Sequence, residues 1–358
     1  MTDVKIPRAR SRTPRTEVGI RHIAKAAAVS IATVSRVIND HPSVSAEVRD
    51  RVKAEISRFS YRPNIIARSL RTRQSGSFGV IVPNISNEHF TDAVRAIQDA
   101  AETQGFTTLI VNTDNSLARE ETAIRSLIER QVDGIAIISA QGAPTPALQE
   151  AINLAIPVVA MDRRIDHDGI DQVTINTRQG TREAVLHLAA QGRRRIAFIA
   201  GPQHLWTAAE KRAGYREGLK MAGLAYDAAI AFPGDYSFAS GERQASAMLD
   251  AAERGAGARP DALIAGNNLM AFGAMRALLR RSIEIPRELA FFGLDDTIWT
   301  DVIKPGISVV AQPTAEMGRE TVRLLCRRIA NGRHTESGER VVLQTSLVLR
   351  ESTEGVRG

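Results

Sequence analysis

Residues 20–39 read IRHIAKAAAVSIATVSRVIN, and the spacing within this stretch is that of a helix-turn-helix. Ile20, Ile23, Ala24 and Ala27 fall on one face of a first helix at about 20–27. Val34, Val37 and Ile38 fall on one face of a second at about 31–38, with a tight turn through Ala28 and Val29 between them. Val48, Val52 and Ile56 repeat the four-residue spacing and predict a third helix after the break at Pro42 and Ser43. Ser30 and Ser45 stand at the N-cap positions of the second and third helices, and Glu47 and Asp50 favour the third helix's start. In such a motif the second helix lies in the major groove of DNA, with its N-terminal side chains at base edges. Ile31 and Ala32 then offer apolar contacts, for example to a thymine methyl, and Arg36 can pair bidentately with a guanine. Thr33, Ser35 and Asn39 suit phosphates. The competing reading is a generic three-helix cap with solvated arginines.

The charge distribution favours DNA. Residues 1–75 hold 16 Lys+Arg against 6 Asp+Glu, a net of +10, which leaves 31 against 34, a net of −3, for the rest of a chain whose total is +7. All the excess positive charge sits in the first fifth, as expected for a small module that meets a polyanion and is attached to a larger domain with another task. Residues 1–18 carry two prolines, five basic residues and almost no large apolar side chain, and are expected to be a disordered basic arm.

The remainder reads as α/β. A length of 358 residues allows two or three domains, and 43% apolar with 24% charged residues is ordinary for a globular protein without membrane spans. The single cysteine, Cys326, excludes a disulfide framework or a multi-cysteine metal site within the chain. The basic N-terminus lacks an apolar signal segment, so the cytoplasm is the expected compartment. From Phe78 onward, apolar runs at 80–82, 108–111, 134–138, 158–161, 196–200, 262–265 and 289–294 alternate with helical stretches. Such runs predict parallel strands covered on both faces. About nine βα units exceed one doubly wound sheet, so two Rossmann-like lobes are expected, with a ligand between them at the carboxyl ends of the strands.

Polar residues follow several of these strands. Asn87 and Phe90 come after the first, Asp162 and Arg163 after VVAM, Asn267 after ALIAG, Asp295 after FFGL, and Gln312 within SVVAQP. Carboxylates, amides and a guanidinium around an aromatic ring are groups that replace water on sugar hydroxyls. No Walker A motif, CxxC pair or HExxH occurs, and GAGAR at 255–259 follows a helix, the wrong order for a dinucleotide fingerprint. Neither metal nor cofactor is expected.

Successive stretches carry a resemblance: IAKAAAVSIATVSRVIN (23–39), VSAEVRDRVKAEI (44–56), YRPNIIARSLRTRQSGSFGVIVPNISNEHF (61–90) and FFGLDD (291–296). In this order they resemble the signatures of the lactose-repressor (LacI) family of bacterial transcription regulators, from about Gly19 to Glu351. The resemblance implies a homodimeric repressor with an all-α reading head at 19–63, a hinge helix and linker at 64–75, and a core at 76–358 like periplasmic sugar-binding proteins. It implies that Leu70 is a minor-groove wedge, with Ala67 at the close approach of paired hinges and Asn64 and Arg68 among the DNA contacts. It also implies that the polar residues above, with Lys211 and Tyr236, contact an effector. Arg71 and Arg73 would hold flanking phosphates or a narrow minor groove.

Four positions depart from the family pattern. Ala28 replaces the usual turn glycine, Lys211 the usual arginine (with Arg212 beside it), and Asn267-Asn268 the common Asn-Asp, while Ile175 is apolar where some members are aromatic. A corepressor-type regulator answering to a purine or other metabolite is the alternative within the family. A periplasmic-type sugar receptor is opposed by the reading head, and an enzyme by the absence of any activated-nucleophile or metal constellation. The tail VVLQTSLVLRESTEGVRG alternates like strands and has no leucine heptad, so a dimer is expected rather than a tetramer.

Overall fold

A computed structural model describes residues 19–38, 40–61, 74–255, 259–331 and 337–354. The chain divides into two compact units, Met1–Ser75 and Gly76–Gly358. In the first, α1 (Ile20–Ala26), α2 (Ile31–Ile38) and α3 (Ala46–Arg58) close around Ile23, Ala24, Ala27, Val34, Val37 and Val52, the residues whose helical spacing the sequence carries.

The second unit contains two six-stranded sheets. The first has the order β11-β5-β4-β3-β1-β2, with β1 Ser77–Val82, β2 Thr107–Asn112, β3 Gly134–Ile137, β4 Val158–Asp162, β5 Asp171–Ile175 and β11 Arg340–Leu343, and every pairing in it is parallel. The second has the order β12-β10-β9-β8-β6-β7, with β6 Ile196–Ala200, β7 Ala231–Pro233, β8 Ala262–Ala265, β9 Ala290–Leu294, β10 Ser308–Ala311 and β12 Ser346–Val348. There, β12 runs antiparallel to β10 and the rest are parallel. The central strands are buried along their whole length, which is why they read as unbroken apolar runs.

Three helices matter most for the cavity: α4 (Glu88–Thr103) follows β1, α8 (Trp206–Met221) follows β6, and α10 (Asn268–Arg280) follows β8. The chain passes between the sheets after β5, after β10 and between β11 and β12, so each lobe is built from separated segments. At these crossings Asn176 Nδ2 donates to Gln344 Oε1 at 3.1 Å, and the Asn176 N–H donates to the Leu343 carbonyl at 2.8 Å.

β5 was absent from the apolar runs because it opens with Asp171 and Gln172, both buried. Asp171 is tolerated there because Arg328 grips it with two hydrogen bonds of 2.7 and 2.8 Å and the Glu339 N–H adds a third at 2.7 Å. Among the described residues no helix is long and apolar enough to cross a membrane.

Candidate functional site

On α2, burial of Val34 and Val37 determines which face turns outward. Ile31, Ala32 and Arg36 are exposed on that face, Ile31 at 44%, and Thr33 and Ser35 are half-buried beside them. Ser30 caps the helix by accepting the Thr33 N–H at 3.0 Å, and its hydroxyl meets that of Thr33 at 2.9 Å. Ser45 occupies the N-cap position of α3, but its side chain makes no cap bond. Ala28 adopts φ 54°, the left-handed conformation a glycine would take at roughly 1 kcal/mol less cost. Arg49 of α3 pairs with Asp40 and donates to the His41 carbonyl at 2.9 Å, which fastens the segment after α2. Asn39, Asn64, Ala67, Arg68 and Leu70, the remaining DNA-contact candidates, lie outside the described residues, as do Arg71, Arg73 and the basic arm.

In the core, all nine effector candidates line one cavity of about 210 Å³: Asn87, Phe90, Asp162, Arg163, Lys211, Tyr236, Asn267, Asp295 and Gln312. They stand at the carboxyl ends of strands from both sheets or near the start of the helices that follow, Lys211 in the second turn of α8. Two of them also serve as helix caps. Asn87 caps α4 by accepting the His89 N–H at 3.1 Å, and Asn267 caps α10 by accepting the Met270 N–H at 2.9 Å while donating to the Tyr236 carbonyl at 3.2 Å. Asp162 (φ 61°), Tyr236 (φ 66°) and Asp295 (φ 84°) are held in left-handed backbone conformations that cost about 1–3 kcal/mol each for such residues. Asn115 (φ 55°) is a fourth left-handed position in the cavity wall, and others, such as Ala28, Gln131 and Ser282, occur in turns away from it.

The charged groups are held firmly. Arg163 donates through Nη1 to Asn115 Oδ1 at 2.8 Å and to the Ser139 carbonyl at 3.0 Å, and its guanidinium stands 5.9 Å from the Phe90 ring centre. Behind it the fully buried Glu120 accepts from Ser139 Oγ at 2.9 Å and from the Ala140 N–H at 2.7 Å, so the loop that receives Arg163 is itself anchored. Burial pushes the Glu120 carboxyl up, and its two donors and Arg163 only partly oppose this. Asp295 accepts from the Asn268 N–H at 3.1 Å and from Gln312 Nε2. Lys211 is buried, donates to the Gly266 carbonyl at 2.9 Å and lies 5.3 Å from the Tyr236 ring centre. The neighbouring Arg212 is directed elsewhere, to the carbonyls of Gly201 and Gln203 at 3.0 and 3.3 Å. Of the two basic residues in EKRAGY, the lysine is therefore the one in the cavity.

Asn268 is not among the cavity-lining residues: it crosses the cleft. Its Nδ2 donates to Asn87 Oδ1 at 2.8 Å, and the Ile298 N–H of the second lobe donates to Glu88 Oε1 of the first at 3.3 Å. An aspartate at 268 would set a carboxylate against the Asn87 carbonyl oxygen, so it is the asparagine that permits this bond between the lobes.

Sequence reasoning missed His89 and Asn115, both in the cavity wall. Asn115 follows β2, and the rule used for the other strands' carboxyl ends finds it. His89 carries no signal of its own, being one of seven scattered histidines. Its Nε2 stands 3.5 Å from Asp162 Oδ1. Burial opposes its charge, but Asp162 and Asp295 outweigh that burial and Lys211, and raise its pKa. Asp162 is lowered: burial resists, and His89, Arg163 and Lys211 prevail. No group of three His, Cys, Asp or Glu able to hold a metal ion occurs among the described residues.

Residues 19–64 match the family model described as bacterial regulatory proteins, lacI family, and residues 185–353 match that of a periplasmic binding protein-like domain. The ribose operon repressor of Halalkalibacterium halodurans is 32% identical over 94% of this chain and 97% of its own length. A solved lac repressor dimer bound to operator and the anti-inducer ONPF is similar with a TM-score of 0.80 at 28% identity, covering 94% of this chain and 99% of that one. A complex of the transcriptional regulator CelR with cellobiose gives a TM-score of 0.69 at 31% identity, covering 93% and 99%. Identity of this extent over both units establishes the relationship, and the chain belongs to the lacI family of bacterial regulatory proteins: it is a regulator and not an enzyme.

Proposed function

We propose that the chain is a DNA-binding transcriptional repressor whose hold on its operator is set by a sugar or sugar derivative in the cavity between the lobes. The observation that carries this reading is the convergence of nine polar and aromatic side chains from both lobes on one cavity, three of them on strained backbone. It works in the cytoplasm, on the nucleoid, as a homodimer. One helix-turn-helix per chain reads one half-site, so a pseudo-palindromic operator matches the two-fold symmetry of the protein. The related dimer bound to operator, the cellobiose complex and the ribose operon repressor support DNA, sugar and dimer alike.

The head spans 19–63 and the hinge 64–75. Asn64–Arg71 is too short to be stable as an isolated helix, so it forms when packed on its dimer mate and on DNA. Leu70 then unstacks a central base step. A ligand that prefers one arrangement of the two lobes biases how the paired hinges meet, and thereby operator affinity.

The test is operator release against ligand concentration for the wild type and Asp295→Ala, after a thermal-shift screen of monosaccharides, sugar acids and purines. Asp295→Ala is expected to lose the response, because a buried ligand hydroxyl deprived of its acceptor costs about 1–3 kcal/mol. A wild-type response in this variant, or stabilisation by a purine and by no sugar, defeats the reading.

A further inference from the structure

We infer that the effector is an anion: a sugar acid whose carboxylate sits on the Lys211 ammonium while its hydroxyls meet Asp162, Asp295 and Gln312. This rests on the assignment of the cavity as the effector site. Lys211 is 6% exposed and carries three N–H donors, of which one is used on the Gly266 carbonyl at 2.9 Å. No carboxylate oxygen of a described residue stands within 4.0 Å of its Nζ, the distance that defines an ion pair. Arg163, on the opposite lobe, also lacks a carboxylate within that distance, and its hydrogen bonds run through Nη1 alone.

The carboxylates of the inner wall, by contrast, have partners. Asp162 faces His89 at 3.5 Å, and Asp295 is bonded by Gln312 and by the Asn268 N–H. At the rim, Asp235 faces Arg243 at 3.8 Å. The cavity therefore has cationic donors to spare in both lobes. Lys211 keeps its charge despite burial, because Tyr236, Asp295 and Asp162 outweigh burial and Arg163. An ammonium not bridged by any carboxylate of a described residue therefore faces the cavity, and a ligand anion bonds it more strongly than a neutral hydroxyl does. Lys211 is also a point charge, unable to clamp two neighbouring hydroxyls as a guanidinium fork does, whereas it suits a carboxylate oxygen. The N-termini of α4 and α10, capped by Asn87 and Asn267, lie at the cavity and favour negative charge close to them. Gln312 Oε1 and Tyr236 Oη are buried without partners and accept or exchange hydroxyl protons, so the rest of the ligand is polyhydroxylated.

The experiment is isothermal titration of the full-length protein with D-glucuronate, D-gluconate, D-galacturonate and D-galactonate, each against its parent hexose, together with D-glucose 6-phosphate. Operator release is followed in parallel by fluorescence anisotropy. One of the acids is expected to bind about tenfold or more tightly than its parent hexose. Lys211→Met is expected to lose that preference and Lys211→Arg to keep it. The wild-type series decides the matter even if a variant fails to fold. A hexose that binds as well as its acid, or a preference retained in Lys211→Met, overturns the anion; a phosphate that binds better than every acid overturns the carboxylate; each leaves the effector cavity standing. If none of these compounds binds or moves operator affinity, the anion inference and the cavity assignment fall together.

Discussion

A β-carbon added at Gly201 would fall inside the van der Waals surface of Tyr236, against Cζ, Cε1 and Oη of the ring. Gly201 follows β6, and its carbonyl is held by Arg212 at 3.0 Å, so the backbone there has little freedom to withdraw. Tyr236 is fixed as well, since its carbonyl accepts from Asn267 and its φ is 66°. The clash of Gly201→Ala is therefore relieved by rotating the ring, and the open side is the effector cavity. Overpacking of this kind costs about 1–3 kcal/mol. If the ring enters the volume a ligand needs, that cost is charged to the bound state, and each 1.4 kcal/mol is about tenfold in affinity. The expected result is operator release that needs about 5- to 150-fold more effector, with a thermal midpoint lowered by a few degrees at most, as roughly 1 kcal/mol in a domain of this size shifts it by about 2–4 °C. An unchanged effector titration with normal folding would show that Tyr236 does not bound the ligand.

Asn268→Ala removes the bond across the cleft to Asn87 and should weaken effector binding about two- to twelvefold, because a buried hydrogen bond contributes about 0.5–1.5 kcal/mol to the closed arrangement; isothermal titration measures it, and unchanged affinity contradicts the latch. Arg36→Ala should relax discrimination at one base position by about 1–3 kcal/mol, read from binding to an operator library, and a uniform loss at all positions would make Arg36 a phosphate contact. His89, raised from its ordinary value near 6.5, stabilises the fold in full at and below that pH, and this contribution is lost as pH rises through its folded pKa. Melting temperature should therefore fall as pH rises above about 6.5, and His89→Gln should flatten the slope; equal slopes in both proteins refute the assignment.

Much of this architecture was legible because it rests on periodicity. Val34 and Val37 specify the face of α2, and the runs at 134–138, 196–200 and 262–265 mark central strands, because burial on both faces leaves no room for polar residues. Asp171 hid β5, because it is paid for by Arg328, 157 residues later, and no local pattern announces so distant a partner. Seven of the nine cavity positions could be found because strand ends in such sheets converge by topology, whereas Lys211 and Tyr236 were reached only through the family resemblance. How each is used could not: that Asn267 spends its amide on a cap and on Tyr236, or that Lys211 and not Arg212 turns inward, depends on contacts between segments far apart in the chain.

The same contacts explain why the cavity wall divides into two sets. Asn267 and Asn268 have their amides occupied by a helix cap, by Tyr236 or by the bond across the cleft, and the Asn87 Oδ1 accepts both its cap bond and the cross-cleft bond, so these residues fix where α4 and α10 begin and how the lobes meet. Lys211, Arg163 and the Gln312 carbonyl oxygen keep hydrogen-bonding capacity in hand. A ligand that engages both cations must touch both lobes, since Arg163 follows β4 of the first sheet and Lys211 lies on α8 of the second. Its binding energy then depends on the lobes staying together, and that dependence is the differential affinity by which a small molecule shifts a conformational equilibrium. A ligand held by one lobe alone would bind without regulating. With the uncovered cations in different lobes, a ligand that engages both ties its binding to closure, and on the proposed function closure is what sets operator affinity.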